Sequence, residues 1–195
     1  MPQLRTEPPT VPSTGAVLRR FSNREAEAHW SGPVTTNSGV KLWIRPANPD
    51  DHDALVRFFE SVSKEDLYFR FLSGIRKVDE DRLQNMLNDD DASSIDFLAV
   101  DERSGEILAT AMLCAYDNSE KAEFAVCTRQ DEKGRGISWS LLDHAVRYAK
   151  AMGVKKVTSM ESASQSAALR LEREMGFKTK ACPEDATLII AEKSL

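Results

Sequence analysis

The spacing of apolar positions changes sharply once, in the middle of the chain. Residues 122–128 (Ala122, Glu123, Phe124, Ala125, Val126, Cys127, Thr128) are mainly apolar or β-branched, as in a short buried strand. Residues 129–136 are polar and carry two glycines, Gly134 and Gly136. After them Ile137, Leu141, Leu142, Ala145, Val146, Ala149 and Met152 recur with a period of about 3.6 residues, the stripe of an amphipathic helix. The pattern predicts strand, glycine turn and long helix in succession.

The same reading extends along the chain. Residues 34–36 and 40–45, joined through Asn37, Ser38 and Gly39, predict a hairpin that stops at Pro46. Asn48, Pro49, Asp50 and Asp51 predict a helix start: a capping side chain, a proline in the first turn, then acids. Leu55, Phe58, Phe59 and Val62 form its apolar face, and further helices are predicted over 64–71 and 79–87. Strands are predicted over 95–100 and 107–116, with turns at 102–105 and 117–120. Gly153 is a candidate stop for the long helix, followed by a strand over 154–160 and a helix over 164–175 that ends at Gly176. Two closing strands are predicted over 177–182 and 187–191. This order predicts an α+β fold: a mixed, mostly antiparallel sheet flanked by helices, with one βα crossover. Pro2, Pro8, Pro9, Pro12, Ser13 and Gly15 break periodicity near the start. Residues 1–32 are therefore expected to be a tail, poorly ordered or loosely docked, with Trp30 as an anchor, and residues 33–195 to be the domain.

Composition narrows the classes. The 195 residues suit about one domain with a tail, and 41% hydrophobic with 29% charged residues is ordinary for a soluble globular protein. A net charge of −5 and the absence of a basic arm disfavour nucleic acid as the main partner. No apolar run approaches the roughly 20 residues that span a membrane. Met1, Pro2, Gln3, Leu4 and Arg5 do not open a secretory signal. Cys114, Cys127 and Cys182 form no paired motif, which suggests reduced thiols in a cytoplasm and no zinc site.

The glycine turn has chemical content. The first N–H groups of a helix lack internal partners and sit at the positive end of its dipole. Glycines let the backbone turn tightly and approach a ligand. Together they make a seat for an anion, most often a phosphate, and Lys133 and Arg135 add charge beside it. A plain tight corner gives the same glycines. Two common nucleotide loops are disfavoured: no glycine here is followed by Lys-Ser/Thr, and Trp139 stands where a dinucleotide fingerprint needs its third glycine.

Lys133-Gly134-Arg135-Gly136-Ile137-Ser138 resembles the Arg/Gln-Gly-x-Gly-x-Gly/Ala motif of GNAT-family N-acetyltransferases, departing at Lys133 and Ser138. Further segments resemble that family: Ile44 to Asp51 looks like its first strand and helix start, and Gln165, Ala168, Leu171, Gly176 and Phe177 look like its late helix. Residues 38–195 carry the likeness. Ser61 to Phe71 and Ala122 to Val126 are similar to segments of bacterial protein-lysine acetyltransferase domains.

The resemblance implies acetyl-CoA as co-substrate, no metal, and an amine acceptor, with a protein lysine as the expected one. It implies that the amides of Gly134, Arg135, Gly136, Ile137 and Ser138, with Lys133, hold the pyrophosphate. The backbone from Val126 to Thr128 would pair with the pantetheine arm, and Gln165 would stand in for the family's asparagine. Glu123 is the implied general base, since a carboxylate on an apolar strand is partly desolvated and titrates higher. An edge-strand Glu facing solvent is the plain alternative. The family's tyrosine that protonates the leaving thiolate falls at Glu172, and an ionised carboxylate cannot do that, so the acid is unassigned. Tyr68 and Tyr116 are substitutes, each read first as a core aromatic. An N-acetyltransferase of a small amine or amino acid, and a non-catalytic acyl-CoA sensor, are the rival functions. His29, His52 and His144 are scattered; Asp79 to Asp81 and Asp89 to Asp91 read as solvated acids; Cys127 reads as packing.

Overall fold

The computed structural model describes residue 21 and residues 23–71, 77–88, 93–116, 118 and 120–195. Residues 1–20 of the expected tail, Leu72 and Gly74, and the acids Asp89 to Asp91 lie outside the described residues. Helix α1 (Asn23–His29) precedes the hairpin β1 (Gly32–Thr35) and β2 (Lys41–Pro46). Helices α2 (His52–Glu60), α3 (Lys64–Phe71) and α4 (Glu80–Leu87) follow, then β3 (Ser94–Asp101), β4 (Ile107–Tyr116) and β5 (Lys121–Thr128). The chain ends with α5 (Ile137–Ala151), β6 (Lys156–Ser162), α6 (Ser166–Glu174), β7 (Lys178–Ala181) and β8 (Leu188–Ser194).

The eight strands form one sheet in the order β1-β2-β3-β4-β5-β6-β8-β7. Every described pairing is antiparallel except β5 with β6, which are joined by the α5 crossover. This is the mixed, mostly antiparallel α+β architecture that the element order predicts. The last strand, β8, enters between β6 and β7, an order that hydrophobic periodicity does not carry.

Burial explains the composition of the strands. β3 and β4 are covered on both faces and are nearly continuously apolar, whereas β2 alternates between exposed and buried positions. On one face α1 and α5 cover Leu42, Ile44, Phe97, Ala99, Ala109, Ala111 and Leu113, while α6 packs on β7. Small alanines there leave room for the α5 aromatic Tyr148 to pack on Phe97, with ring centroids 5.2 Å apart. On the other face α2, α3 and α4 pack Leu55, Phe58, Leu67, Leu83 and Met86 against Leu98, Ile107 and Cys127. The α2 entry is the predicted cap. Asn48 Oδ1 accepts from the Asp50 N–H at 3.0 Å, Asp51 Oδ2 accepts from the Asn48 N–H at 2.9 Å, and the short turn Pro49–Asp51 leads into the helix. Asp51 also takes a two-point ion pair from Arg45 at 2.6 and 2.7 Å, locking β2 to this turn.

Part of the expected tail belongs to the core. Phe21 is 2% exposed and Ala26 3%, and Trp30 packs edge-on against Tyr148 at 5.3 Å and His144 at 5.7 Å. The prolines that break periodicity all precede residue 13, so they say nothing about residues 21–32, whose apolar side chains fill the space beside α5. Burying a phenylalanine this fully makes a definite prediction. Phe21→Ala is expected to lower unfolding free energy by about 3–5 kcal/mol, read by chemical denaturation. A loss under about 1 kcal/mol would mean that the segment is only loosely docked.

Candidate functional site

β5 and β6 pair over only three positions, Lys121 to Glu123 against Lys156 to Thr158. Beyond that point β5 stays with β4 as far as Thr128 opposite Ala109, and β6 stays with β8 as far as Ser162 opposite Leu188. The two strands therefore diverge, and the edge of β5 from Phe124 to Thr128 has no β6 partner. An unpaired strand edge inside a sheet leaves N–H and C=O groups that an extended ligand can satisfy.

At the open end of this split the chain turns into α5. Gly134 and Gly136 have φ of +76° and +80°, the left-handed region that favours glycine. Gly136 has a second constraint, since a Cβ there would lie 3.3 Å from Thr36 Cβ. The Ser38 hydroxyl donates to the Arg135 carbonyl at 2.6 Å, so the turn of the first hairpin supports the glycine loop. Thr128 and Ser138 share a hydroxyl hydrogen bond at 2.9 Å, tying the end of β5 to the first turn of α5. Backbone N–H groups from Gly134 to Trp139 find no acceptor among the described residues. Lys133 pairs with Asp66 at 2.6 Å and Arg135 with Glu132 at 2.5 Å, so the charge expected of these two is partly answered within the chain. Both basic side chains are more than 40% exposed, and such pairs are weak in water.

At the closed end lies Glu123. Strand alternation puts Glu123, Ala125 and Cys127 on the face of α2 to α4, and Ala122 and Phe124 on the α5 face. A cavity of about 240 Å³ opens there, with Phe71, Met86, Met112 and Ala125 as apolar walls and Glu123 at its lining. Glu123 is half-buried, and burial raises its carboxyl above the usual range. Beside it Arg70 and Asp96 form a buried ion pair, with burial pushing Asp96 up to about 6 against the attraction of Arg70. The Arg70 guanidinium lies 4.9 Å from the Phe71 ring centroid, and its Nε has no hydrogen-bond partner among the described residues.

The structure sorts the remaining candidates. Gln165 stands at the start of α6 with its backbone carbonyl holding Leu169, and its side chain makes no cap bond. Tyr68 and Tyr116 are 41% and 43% exposed, so neither is the core aromatic expected; Tyr116 reaches Thr158 at 3.3 Å. Cys127 is buried beside Thr110, and burial pushes its thiol up to about 11, which disfavours the thiolate. His144 packs against Phe97 inside the core, and burial pushes it down to about 4. Asp79 caps α4 through the Arg82 N–H at 3.0 Å. Among the described residues no group of three His, Cys, Asp or Glu side chains is placed to hold a metal, and no helix is long and apolar enough to cross a membrane.

Two acids escaped the sequence reading as a pair. Glu172 is 3% exposed and takes a short hydrogen bond from the Ser159 hydroxyl; burial pushes it up to about 7. Glu161 is raised to about 8 by burial, then by Glu172 and Asp66. The available signal was Glu172 three positions after Leu169, on the inward side of α6.

Comparison with known proteins agrees with this geometry. The model of the acetyltransferase (GNAT) family matches residues 56–177. An acetyltransferase of Pseudomonas aeruginosa is 26% identical over 169 residues, covering 86% of this chain and 90% of that protein. The crystal structure of the GNAT domain of S. lividans PAT has a similar fold, with a TM-score of 0.77 and 23% identity over 86% of this chain and 98% of that one. A cAMP-binding acyltransferase from Mycobacterium smegmatis is similar over 88% of this chain and 50% of its own, with a TM-score of 0.58 and 20% identity.

The raised carboxyls carry a pH signature. Glu161 and Glu172 hold protons in the folded state that unfolded glutamates, with an ordinary value of 4.5, release earlier. The unfolded chain then binds fewer protons, so stability falls as pH rises from about 4.5 towards 8. Melting of the ligand-free protein is expected to drop over that range, and the Glu161→Gln, Glu172→Gln double variant to show a shallower slope. An unchanged slope would remove the pair as its source.

Proposed function

The chain belongs to the GNAT acetyltransferase family, and we propose that its acceptor amine lodges in the cavity beside Glu123, with Glu123 taking the proton the amine sheds. The family uses acetyl-CoA as co-substrate and acetylates an amine. The observation that carries the proposal is the β5–β6 split, which runs from a helix start with free N–H groups to a desolvated carboxylate. Five strand residues at roughly 3.3 Å each separate Glu123 from Thr128, about 17 Å in all. That span suits an extended pantetheine arm pairing with Val126 and Thr128 while its pyrophosphate rests on the amides of Gly134, Arg135, Gly136, Ile137 and Ser138, near Lys133. Gln165 faces this region from the start of α6 in the same reading.

The chemistry asked of the residues is modest. The backbone holds the thioester in place, Glu123 accepts the amine proton, and orientation supplies much of the rest. A lysine side chain suits the cavity: its stem fits between Phe71, Met86, Met112 and Ala125, and its amine meets Glu123. The likeness of Ser61 to Phe71 to protein-lysine acetyltransferase domains supports a protein lysine as acceptor. One observation favours a small amine with its own negative group instead, namely Arg70, with its unpartnered Nε, and Arg82 in the same wall. Labelled acetyl-CoA offered to protein lysates and to a panel of small amines separates the two. A protein that binds acetyl-CoA but releases thiol with neither would be a sensor. Cys114, Cys127 and Cys182 form no disulfide, which supports a cytoplasmic setting.

Two measurements test the site. Glu123→Gln keeps the shape of the side chain but cannot take the proton; acetyl-CoA binding is expected to survive while the rate falls by about 10²–10⁴. Activity within about threefold of native from pH 6 to 9, with one acceptor throughout, would remove Glu123 from the mechanism. For the anion seat, Gly134→Ala and Gly134→Asp share the cost of a side chain at positive φ, about 1–2 kcal/mol. Only Asp adds a negative charge beside the free amides. Acetyl-CoA is expected to bind the Asp variant at least tenfold more weakly than the Ala variant, about 1.4 kcal/mol, by calorimetry. Equal affinities would place the pyrophosphate elsewhere.

A further inference from the structure

The split between β5 and β6 has a second wall. Thr158 is the last β6 residue paired with β5, and Ser159 is the first beyond it. Thr158 shares a face with its partner Glu123; Ser159, like the buried Val157, faces the opposite side, where α6 packs. The Ser159 hydroxyl donates to Glu172 Oε1, while Glu172 Oε2 is buried with no hydrogen-bond partner among the described residues. An ionised oxygen in that position is costly. A protonated one is a donor in search of an acceptor. If the arm of acetyl-CoA follows the free edge of β5 inward, as the functional reading above requires, its thioester arrives at the apex, between Glu123 on one face and Ser159 with Glu172 on the other.

We propose that Glu172, oriented by Ser159, is the acid that protonates the departing sulfur of acetyl-CoA. The amine nitrogen bonds to the acetyl carbon; the C–S bond breaks with its electron pair going to sulfur. Glu172 gives that sulfur its proton, Glu123 receives the proton of the amine, and exchange with water restores both carboxyls. Because the two carboxyls lie on opposite faces of the sheet, the proton taken and the proton given do not compete. The surroundings favour a protonated Glu172. Burial pushes it up to about 7, against the opposing pull of the Ser159 hydrogen bond and of Arg173. Glu161, on the same face of β6, is itself raised by burial and by its neighbours Glu172 and Asp66. Lys193 on β8 is directed to the Met175 carbonyl at the end of α6. The carboxyl stands at the position where the resemblance places the family's tyrosine, so the acid left unassigned by the sequence has a candidate.

The test uses the full chain with acetyl-CoA and Nα-acetyl-lysine amide as the probe acceptor, following thiol release against pH. Native kcat is expected to fall above about pH 7, where Glu172 loses its proton. Glu172→Gln is expected to lower kcat by about 10²–10⁴, to leave the KM for acetyl-CoA within about threefold of native, and to lose that alkaline decline. Glu161→Gln is expected to keep the decline. Ser159→Ala removes a bond that favours the ionised form, so the decline moves to higher pH; this variant serves if Glu172→Gln does not fold. A folded Glu172→Gln with native rates, or a slowed one that keeps the alkaline decline, overturns the proposal. A crystal structure with acetyl-CoA gives a readout independent of the acceptor. The sulfur is expected within direct or one-water hydrogen-bond reach of Glu172, and a bound acetyl-CoA whose sulfur is walled off from it also overturns the proposal. A native protein that fails to bind acetyl-CoA instead defeats the functional reading on which this proposal stands.

Discussion

A parallel contact of three residue pairs between two antiparallel half-sheets is the constraint from which the site follows. Each half has its own twist, β5 following β4 and β6 following β8, and a right-handed twist accumulates from strand to strand. α5 crosses between the halves over 15 residues, about 22 Å of helix. Its inward stripe is fixed on Phe97, Ala109 and Ala111, so its first turn is held beside the point where β5 ends. The free amides of the glycine loop and the free edge of β5 thus come from one topological fact, not from two separate adaptations.

The electrostatics of the site follow from where the sheet is dry. A carboxyl on a water-facing strand stays ionised, but Glu123, Glu161 and Glu172 all lie where burial raises them. Glu123 faces a cavity whose neighbouring charges, Arg70 and Asp96, already answer each other. Burial is what raises it there, beside a mostly apolar wall. Glu172 has the Ser159 hydroxyl at one oxygen and no hydrogen-bond partner at the other among the described residues, and burial outweighs Ser159 and Arg173 in raising it. The same residue type is thus raised on both faces of one sheet, with different neighbours on each.

Much of this was legible from residue order. The change of period at residue 137 located α5, the cap at Asn48 located α2, and the alternating run at 122–128 located β5. Glycine at 134 and 136 told where the backbone must turn left-handed. What escaped depends on contacts between distant residues. Phe21 looks like part of a tail until Tyr148, which also meets Trp30, packs against it. Tyr68 and Tyr116 look like core aromatics because ring size, not position on a face, guided that expectation. Glu172 is legible only as the residue at the family's tyrosine position, since neither Ser159 nor its burial is visible in the local sequence. The insertion of β8 between β6 and β7 rests on pairing energy across the sheet, which no local window contains.

The contact of the glycine loop with the first hairpin bears on how the domain can be cut. Residues 56–177, the stretch matched to the family, include β5 and α5 but neither β1 and β2 nor β7 and β8. A fragment trimmed to those borders would keep the glycine motif yet lose Thr36 and Ser38, on which the loop rests. It would also bare β3 on one side and β6 on the other, two long edges prone to pair with strangers. For this chain the family signature marks where the chemistry is written, while the scaffold that covers its edges and holds its shape lies largely in the flanks.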